Sequence, residues 1–383
     1  MSRTTQVPVT PSVLRWAIKE SGYEPEQVAH HVRVDPEILD EWASGKSKPT
    51  LTQARGLASK LHRSLAALLL PSPPERKPLT VEFRRPIGDE RELNPAERRH
   101  LRRAARFQEL LSWIARELQM EASQTPLASI DDDPDSVAGR VRTLLAITTH
   151  DQKGWTSPSE AFDQWRLSLE RTGHLVFLFS IGKNSCQGFS HWDEFAPVIA
   201  VNTARNESAR IFTLFHELGH LITRTDSACV ESIRTRSRLD PVERWCEQFA
   251  AAVLMPAADV QVALRKAGLH QGESIASLDI PSNLANRYKV SLRAAVIRLI
   301  ELGAARWSLY EEIPPLSDAK PPGGGGKGRD RAQIREDQLG DRTASLLVSA
   351  VERDILSRSQ AVEMLDVPDV TFDELVNASH SAQ

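Results

Sequence analysis

Short runs of apolar residues at helical spacing, broken by polar joints, mark the stretch from Thr10 to Leu70. Val13, Leu14, Ala17 and Ile18 share one face of a first helix, opened by Thr10 as N-cap and Pro11 at the first helical position. EPEQVAHHV after Gly22 predicts a second helix, Arg33-Val34 a tight joint, and EILDEWASG a third helix capped by Asp35-Pro36. Thr50-Leu51 begins a fourth, and SLAALLL reads as a short apolar fifth closed by Pro71, Pro73 and Pro74. Residues 1–9 are expected as a flexible tail and 10–71 as one helical domain.

Residues 72–130 begin with a Pro-rich joint and an EFRR segment. They continue through Asn94-Pro95, a cap, into a stretch where Leu101, Ala104, Ala105, Leu110 and Leu111 alternate with many arginines. One long amphipathic helix fits this pattern. Its arginines suit nucleic acid, but a solvated face paired with its own glutamates is the favoured reading. DDDPDSVAGRVRTLL, near 131–145, starts another helix. HLVFLFSI (174–181) and APVIAVN (196–202) are expected as β-strands, each apolar and bounded by turn formers. Helices resume near Ala209 and run to Leu302, which makes 131–313 a second domain. The Pro/Gly-rich segment 314–333 cannot bury a core and is expected as a linker. Residues 334–383 form a C-terminal helical segment.

The 383 residues suit two or three domains. Forty-eight Lys and Arg against 51 Asp and Glu leave a net charge of −3, which argues against attachment to nucleic acid by bulk electrostatics. Cys186, Cys229 and Cys246 are odd in number and lack CxxC spacing, which fits a reducing compartment rather than a disulfide framework. No apolar run reaches a membrane-spanning length, and MSRTTQVPVTPSV lacks an apolar signal core. A cytoplasmic protein without membrane association is the expectation.

The chemistry lies in RIFTLFHELGHLI, residues 210–222. His216 and His220 are four apart, so on a helix both imidazoles face one point and can share a zinc ion. Glu217 beside them suits a general base toward the metal's water. The plain alternative is two partly exposed helix histidines. A catalytic zinc needs a third protein ligand. The extended pattern with a third histidine fails, because that position is Asp226 and Thr223 replaces the expected glycine. LDPVERWCEQFAAAVLMP (239–256) predicts a second helix with Asp240 as N-cap, and offers Glu243 and Glu247. Glu243 lies at the edge of the apolar face and Glu247 further toward the polar side. Glu243 also completes a D-x-x-E capping box with Asp240, a purely structural arrangement. Geometry favours Glu243 and leaves Glu247 open.

Two resemblances sharpen this picture. EQVAHHVRVDPEILDEWASGKSKPT, with Val28, Ala29, Val34, Trp42 and Gly45, resembles the five-helix helix-turn-helix domain of the Xre family. CQGFSHWDEFAPVIAVN, RIFTLFHELGHLI and ERWCEQFAAAVLMP resemble the ImmA/IrrE-type zinc metallopeptidases, whose acidic ligand Glu243 matches. Glu247 stands where that family commonly has Asn. The resemblances imply a mainly α chain: a five-helix helix-turn-helix domain, plus an α+β zincin-like metallopeptidase domain with a small sheet and the HExxH helix. They also imply a regulatory protease that binds Zn²⁺ through His216, His220 and Glu243 and cleaves a protein substrate, a transcriptional repressor. His191, Tyr288 and several arginines are available to stabilise the oxyanion.

The alternative is a DNA-binding regulator or antitoxin-like protein whose peptidase fold serves as a sensor or docking module. Arg33, Lys46 and Lys48 are the candidate DNA contacts. The third helix, however, carries Asp35, Glu37, Asp40 and Glu41, whose charge opposes approach to phosphates. The N-terminal domain is therefore expected to bind duplex DNA weakly, to bind a protein, or to need a partner or a homodimer.

Overall fold

Caps and prolines set most element boundaries. The computed structural model describes residues 5–74, 93–182, 185–225, 227–229, 241–270, 273–314, 331–365 and 367–381. The EFRR segment, Asp226, Asp240 and most of the 314–333 linker lie outside them. Two compact units emerge: Met1–Thr80 with Glu90–Arg103, and Val81–Asp89 with Ala104–Gln383.

The first unit holds α1 (Pro11–Ser21), α2 (Pro25–His31), α3 (Pro36–Ser44) and α4 (Leu51–Lys60). Thr50 and Gln53 form a capping box at the start of α4. Thr10 and Asp35 stand at the N-cap positions of α1 and α3 without making the side-chain cap bond. The expected fifth helix is only a 3₁₀ turn, Ala66–Leu69, because Leu70 turns extended just before Pro71. The expected tail is also partly built in. Gln6 bridges Thr50, Val7 N–H donates to the Pro49 carbonyl at 2.8 Å, and Val7 and Val9 are buried with Leu14, Val28, Leu39 and Trp42.

Helix α5 (Pro95–Glu117) starts at a reciprocal Asn94–Glu97 box, and its residues belong to both units. Within the first unit, Arg98 and Arg102 do not simply face solvent; they donate to the carbonyls of Lys19 and Glu20 at the end of α1. Such capping satisfies carbonyls that a helix end leaves unpaired.

The second unit continues with α6 (Pro134–Leu144), α7 (Thr149–Gly154) and α8 (Pro158–Arg171). A four-stranded mixed sheet follows, in the order β1-β3-β2-β4, from β1 (Leu175–Phe179), β2 (Gly188–His191), β3 (Val198–Asn202) and β4 (Ser227–Cys229). β1 runs parallel to β3, with Leu175 opposite Val198; β2 is antiparallel to both β3 and β4. Against the sheet lies α9 (Glu207–Ile222), and α10 (Pro241–Leu254) packs on α9. Ile211, Leu214, Phe215, Leu218, Leu221 and Ile222 of α9 are all buried, each contributing about 1.5–3 kcal/mol. Beyond them come α11 (Ala257–Lys266), α12 (Asp279–Tyr288), α13 (Leu292–Glu301) and α14 (Trp307–Glu311).

The C-terminal segment divides into α15 (Arg331–Leu339), α16 (Asp341–Glu352), α17 (Arg358–Leu365) and α18 (Asp369–Ser381). Helix α15 lies alongside β1, and the buried Glu170 carboxylate of α8 accepts the Asp341 N–H, capping α16 from another helix. Arg166 pairs with Glu170 at 3.0 Å and donates to the Asp337 carbonyl. Gly340, at φ 83°, leaves no room for a Cβ beside Glu170 and Arg166.

His174, just before β1, is buried between Thr125 and Thr172, whose hydroxyls lie 2.9 and 3.0 Å from its ring nitrogens. Burial, with Arg342 and Arg224 nearby, pushes its pKa down to about 4. The unfolded chain protonates this ring near 6.5, so below that pH the unfolded state binds more protons. Its contribution is full above pH 6.5 and falls away as pH drops toward 4, by about 3 kcal/mol. A His174→Gln variant lacks this dependence. In urea unfolding, the gap between wild type and variant should shrink from pH 7 to pH 4; an unchanged gap would clear His174 of that role.

Candidate metal centre

Asn206 starts α9 by accepting the Ala209 N–H at 3.0 Å. Ten residues on, the helix presents His216 and His220 one turn apart, and α10 brings Glu243 opposite them. The two histidine Nε2 atoms are 3.2 Å apart, His216 Nε2 is 3.2 Å from Glu243 Oε2, and His220 Nε2 is 3.5 Å from Glu243 Oε1. Zinc with ligands at 2.0–2.1 Å in a tetrahedron spaces them about 3.4 Å apart. The His–His separation matches that edge, and each Glu243 oxygen lies at a comparable distance from one of the two histidines, so the donor set fits zinc. Among the described residues these three form the group able to hold a metal; Glu247, one turn further along α10, is not part of it.

Two glycines allow the close approach. A Cβ on Gly219 would stand 3.0–3.2 Å from Cys246 Sγ, Cα and Cβ, so any side chain there would push α10 a few tenths of an ångström away from α9. Cys246 is three residues past Glu243, and the contact therefore sets where that carboxylate falls. A Cβ on Gly188 of β2 would meet Thr213 Cγ2 at 2.5 Å, the Ala200 carbonyl at 2.8 Å and Glu217 Cγ at 3.1 Å. The strand backbone thus borders Glu217 directly. The far end of α10 is held by three buried donors: Arg142 to the Val253 carbonyl, Gln152 to Leu254 and Arg298 to Met255, at 2.7–3.0 Å. Trp245 adds an indole bond to the Asp132 carbonyl before α6.

The cluster is well shielded. Glu217 is fully buried, the His220 side chain is 1% exposed, and those of His216 and Glu243 are 9% and 12% exposed. Burial works against charge on His216, but the Glu243 hydrogen bond and the charges of Glu243, Glu217 and Glu247 outweigh it and raise its pKa. Burial likewise opposes ionisation of Glu243, yet the hydrogen bonds from His216 and His220 hold its carboxyl well below the usual carboxylate range.

Residues 169–299 match the family model Peptidase_M78, described as the IrrE N-terminal-like domain. The matched segment contains His216, Glu217, His220 and Glu243 and lies wholly in the second unit. No curated protein matches the chain. Among the described residues no helix is long and apolar enough to cross a membrane.

The remaining candidates are placed elsewhere. Arg33, Lys46 and Lys48 are exposed in the first unit, before and after α3, with Arg33 in the left-handed region at φ 60°. Tyr288, named above as an oxyanion donor, is buried and donates to Asp259. Burial and that bond raise its pKa, and Lys153 pairs with the same carboxylate. The residue that sequence reasoning overlooked is Thr225, whose Oγ1 stands 3.0 Å from His220 Nδ1.

Proposed function

We propose that this chain is a zinc-dependent metalloendopeptidase that cleaves a partner protein, a transcriptional repressor being the substrate class the sequence resemblance favours. The carrying observation is the trio His216, His220 and Glu243, whose ligand atoms lie within 4.8 Å of one another, with Glu217 adjacent on the same helix. When bound, zinc would act as a Lewis acid that polarises a scissile carbonyl and makes water acidic. Glu217 takes the proton from the attacking water as its oxygen bonds to the carbonyl carbon. It then returns that proton to the amide nitrogen, which leaves as an amine when the C–N bond breaks. Enclosure by β2 and α9 keeps bulk water from Glu217 and strengthens its electrostatic coupling to the site.

The N-terminal helices fit a helix-turn-helix module that brings the peptidase to its regulatory target. The acidic face of α3 favours weak DNA contact or a protein partner over tight operator binding.

Metal analysis of protein purified without a metal-affinity tag tests the reading. One zinc per chain is expected, and a content near zero after zinc loading of folded protein overturns it. Incubating the zinc protein with transcription regulators encoded beside its gene should then yield a discrete cleavage product.

A further inference from the structure

On the metal-centre reading above, we infer that Thr225 is a positioning residue for His220, fixing through a Thr225–Thr223–Gly219 hydrogen-bond chain which ring nitrogen faces the metal. Helix α9 ends in a reversal: Arg224 N–H donates to the Leu221 carbonyl at 3.3 Å and Thr225 N–H to the His220 carbonyl at 2.9 Å. This pair of bonds, with Arg224 left-handed at φ 57°, is a Schellman ending, which folds the second residue past the cap over the third residue from the helix end. An apolar contact usually forms there. Here the two residues are Thr225 and His220, and the contact is polar, Oγ1 to Nδ1 at 3.0 Å.

Glycine most often takes the left-handed position, and Arg224 is one of seven non-glycine residues among those described that adopt it here. Arg224 is held there by its own side chain. Its guanidinium donates to the carbonyls of Leu221 and Thr125 and lies 3.4 Å from the centroid of the Trp192 ring.

Direction follows from what each atom can do. The Gly219 carbonyl only accepts, and Thr223 Oγ1 donates to it at 3.0 Å. Thr225 Oγ1 can give its proton to Thr223 Oγ1, 2.9 Å away, or to the His220 carbonyl, 3.4 Å away. Thr225 in turn keeps a lone pair for the Nδ1–H of His220. When a metal displaces the hydrogen bond that His220 gives Glu243, a proton kept on Nδ1 leaves the Nε2 lone pair of His220 for the ion. Thr223, which stands at the glycine position of the extended zinc motif, and Thr225 therefore have a joint task.

The experiment compares zinc affinity, by competition with a chelator, in wild type, Thr225→Val, Thr225→Ala and Thr225→Ser. Valine and alanine remove the acceptor and should weaken zinc about 10–100-fold, the usual loss for such partners. Serine restores the hydroxyl and should return affinity close to wild type. Thermal unfolding of the metal-free proteins identifies any variant that fails to fold, and alanine then replaces valine in the comparison. In cobalt-loaded protein the ligand-field bands should shift in valine and alanine but not in serine. Wild-type affinity in a folded valine or alanine variant overturns the role of Thr225 alone. Absence of zinc binding by wild type overturns the metal centre itself, and this inference with it.

Discussion

If the chain is the zinc peptidase proposed above, Glu217→Gln should leave the zinc content near one per chain and lower cleavage of its protein substrate by at least about 100-fold. The amide keeps the size of the carboxylate, so the close packing of Glu217 Cγ against Gly188 is preserved. None of His216, His220 or Glu243 is altered. What disappears is the group that accepts the water's proton. Cleavage at the wild-type rate by the zinc-loaded variant would remove Glu217 from that step, and loss of zinc would show that its charge helps hold the site together.

Glu243→Ala should abolish zinc retention, whereas Glu247→Ala should leave most of it. Partners that only support a ligand cost about 10–100-fold in affinity, so loss of the ligand itself should exceed about 100-fold. Glu243 is also the group that draws both Nε2 atoms together, at 3.2 and 3.5 Å. Glu247 contributes its charge to raising the His216 imidazole pKa, together with the hydrogen bond and charge of Glu243 and the charge of Glu217. Equilibrium dialysis of both variants against zinc separates the cases. Equal losses would mean that α10 presents its two carboxylates jointly.

Helices α9 and α10 were legible because their apolar residues recur at helical spacing and Pro241 marks the first turn of α10. Two acids one turn apart share nearly the same stripe, so periodicity favoured Glu243 without separating it from Glu247. What separates them is the notch at Gly219, which seats Cys246 and so aims Glu243. Strands β1 and β3 were visible as apolar runs. β2, reading GFSH, and β4, reading SAC, are too short to show alternation and exist through pairing with their neighbours. Thr225 was hidden because the signal for a Schellman ending is a glycine, and here an arginine clamped by Trp192 takes its place. Asp341 lies 171 positions from Glu170, so no local pattern announced their bond.

That last contact bears on how the sheet is kept from other chains. Among the described residues β1 is an edge strand, paired on one side only with β3, and a free edge offers a ready template for intermolecular pairing. Helix α15 lies along it, anchored through Arg166 to the Asp337 carbonyl and through Glu170 to the start of α16. The C-terminal helices thereby shield an edge of the sheet in the second unit. A chain shortened to end at residue 314 would carry the whole candidate metal centre yet leave this edge uncovered, and its shortcoming would be solubility rather than chemistry.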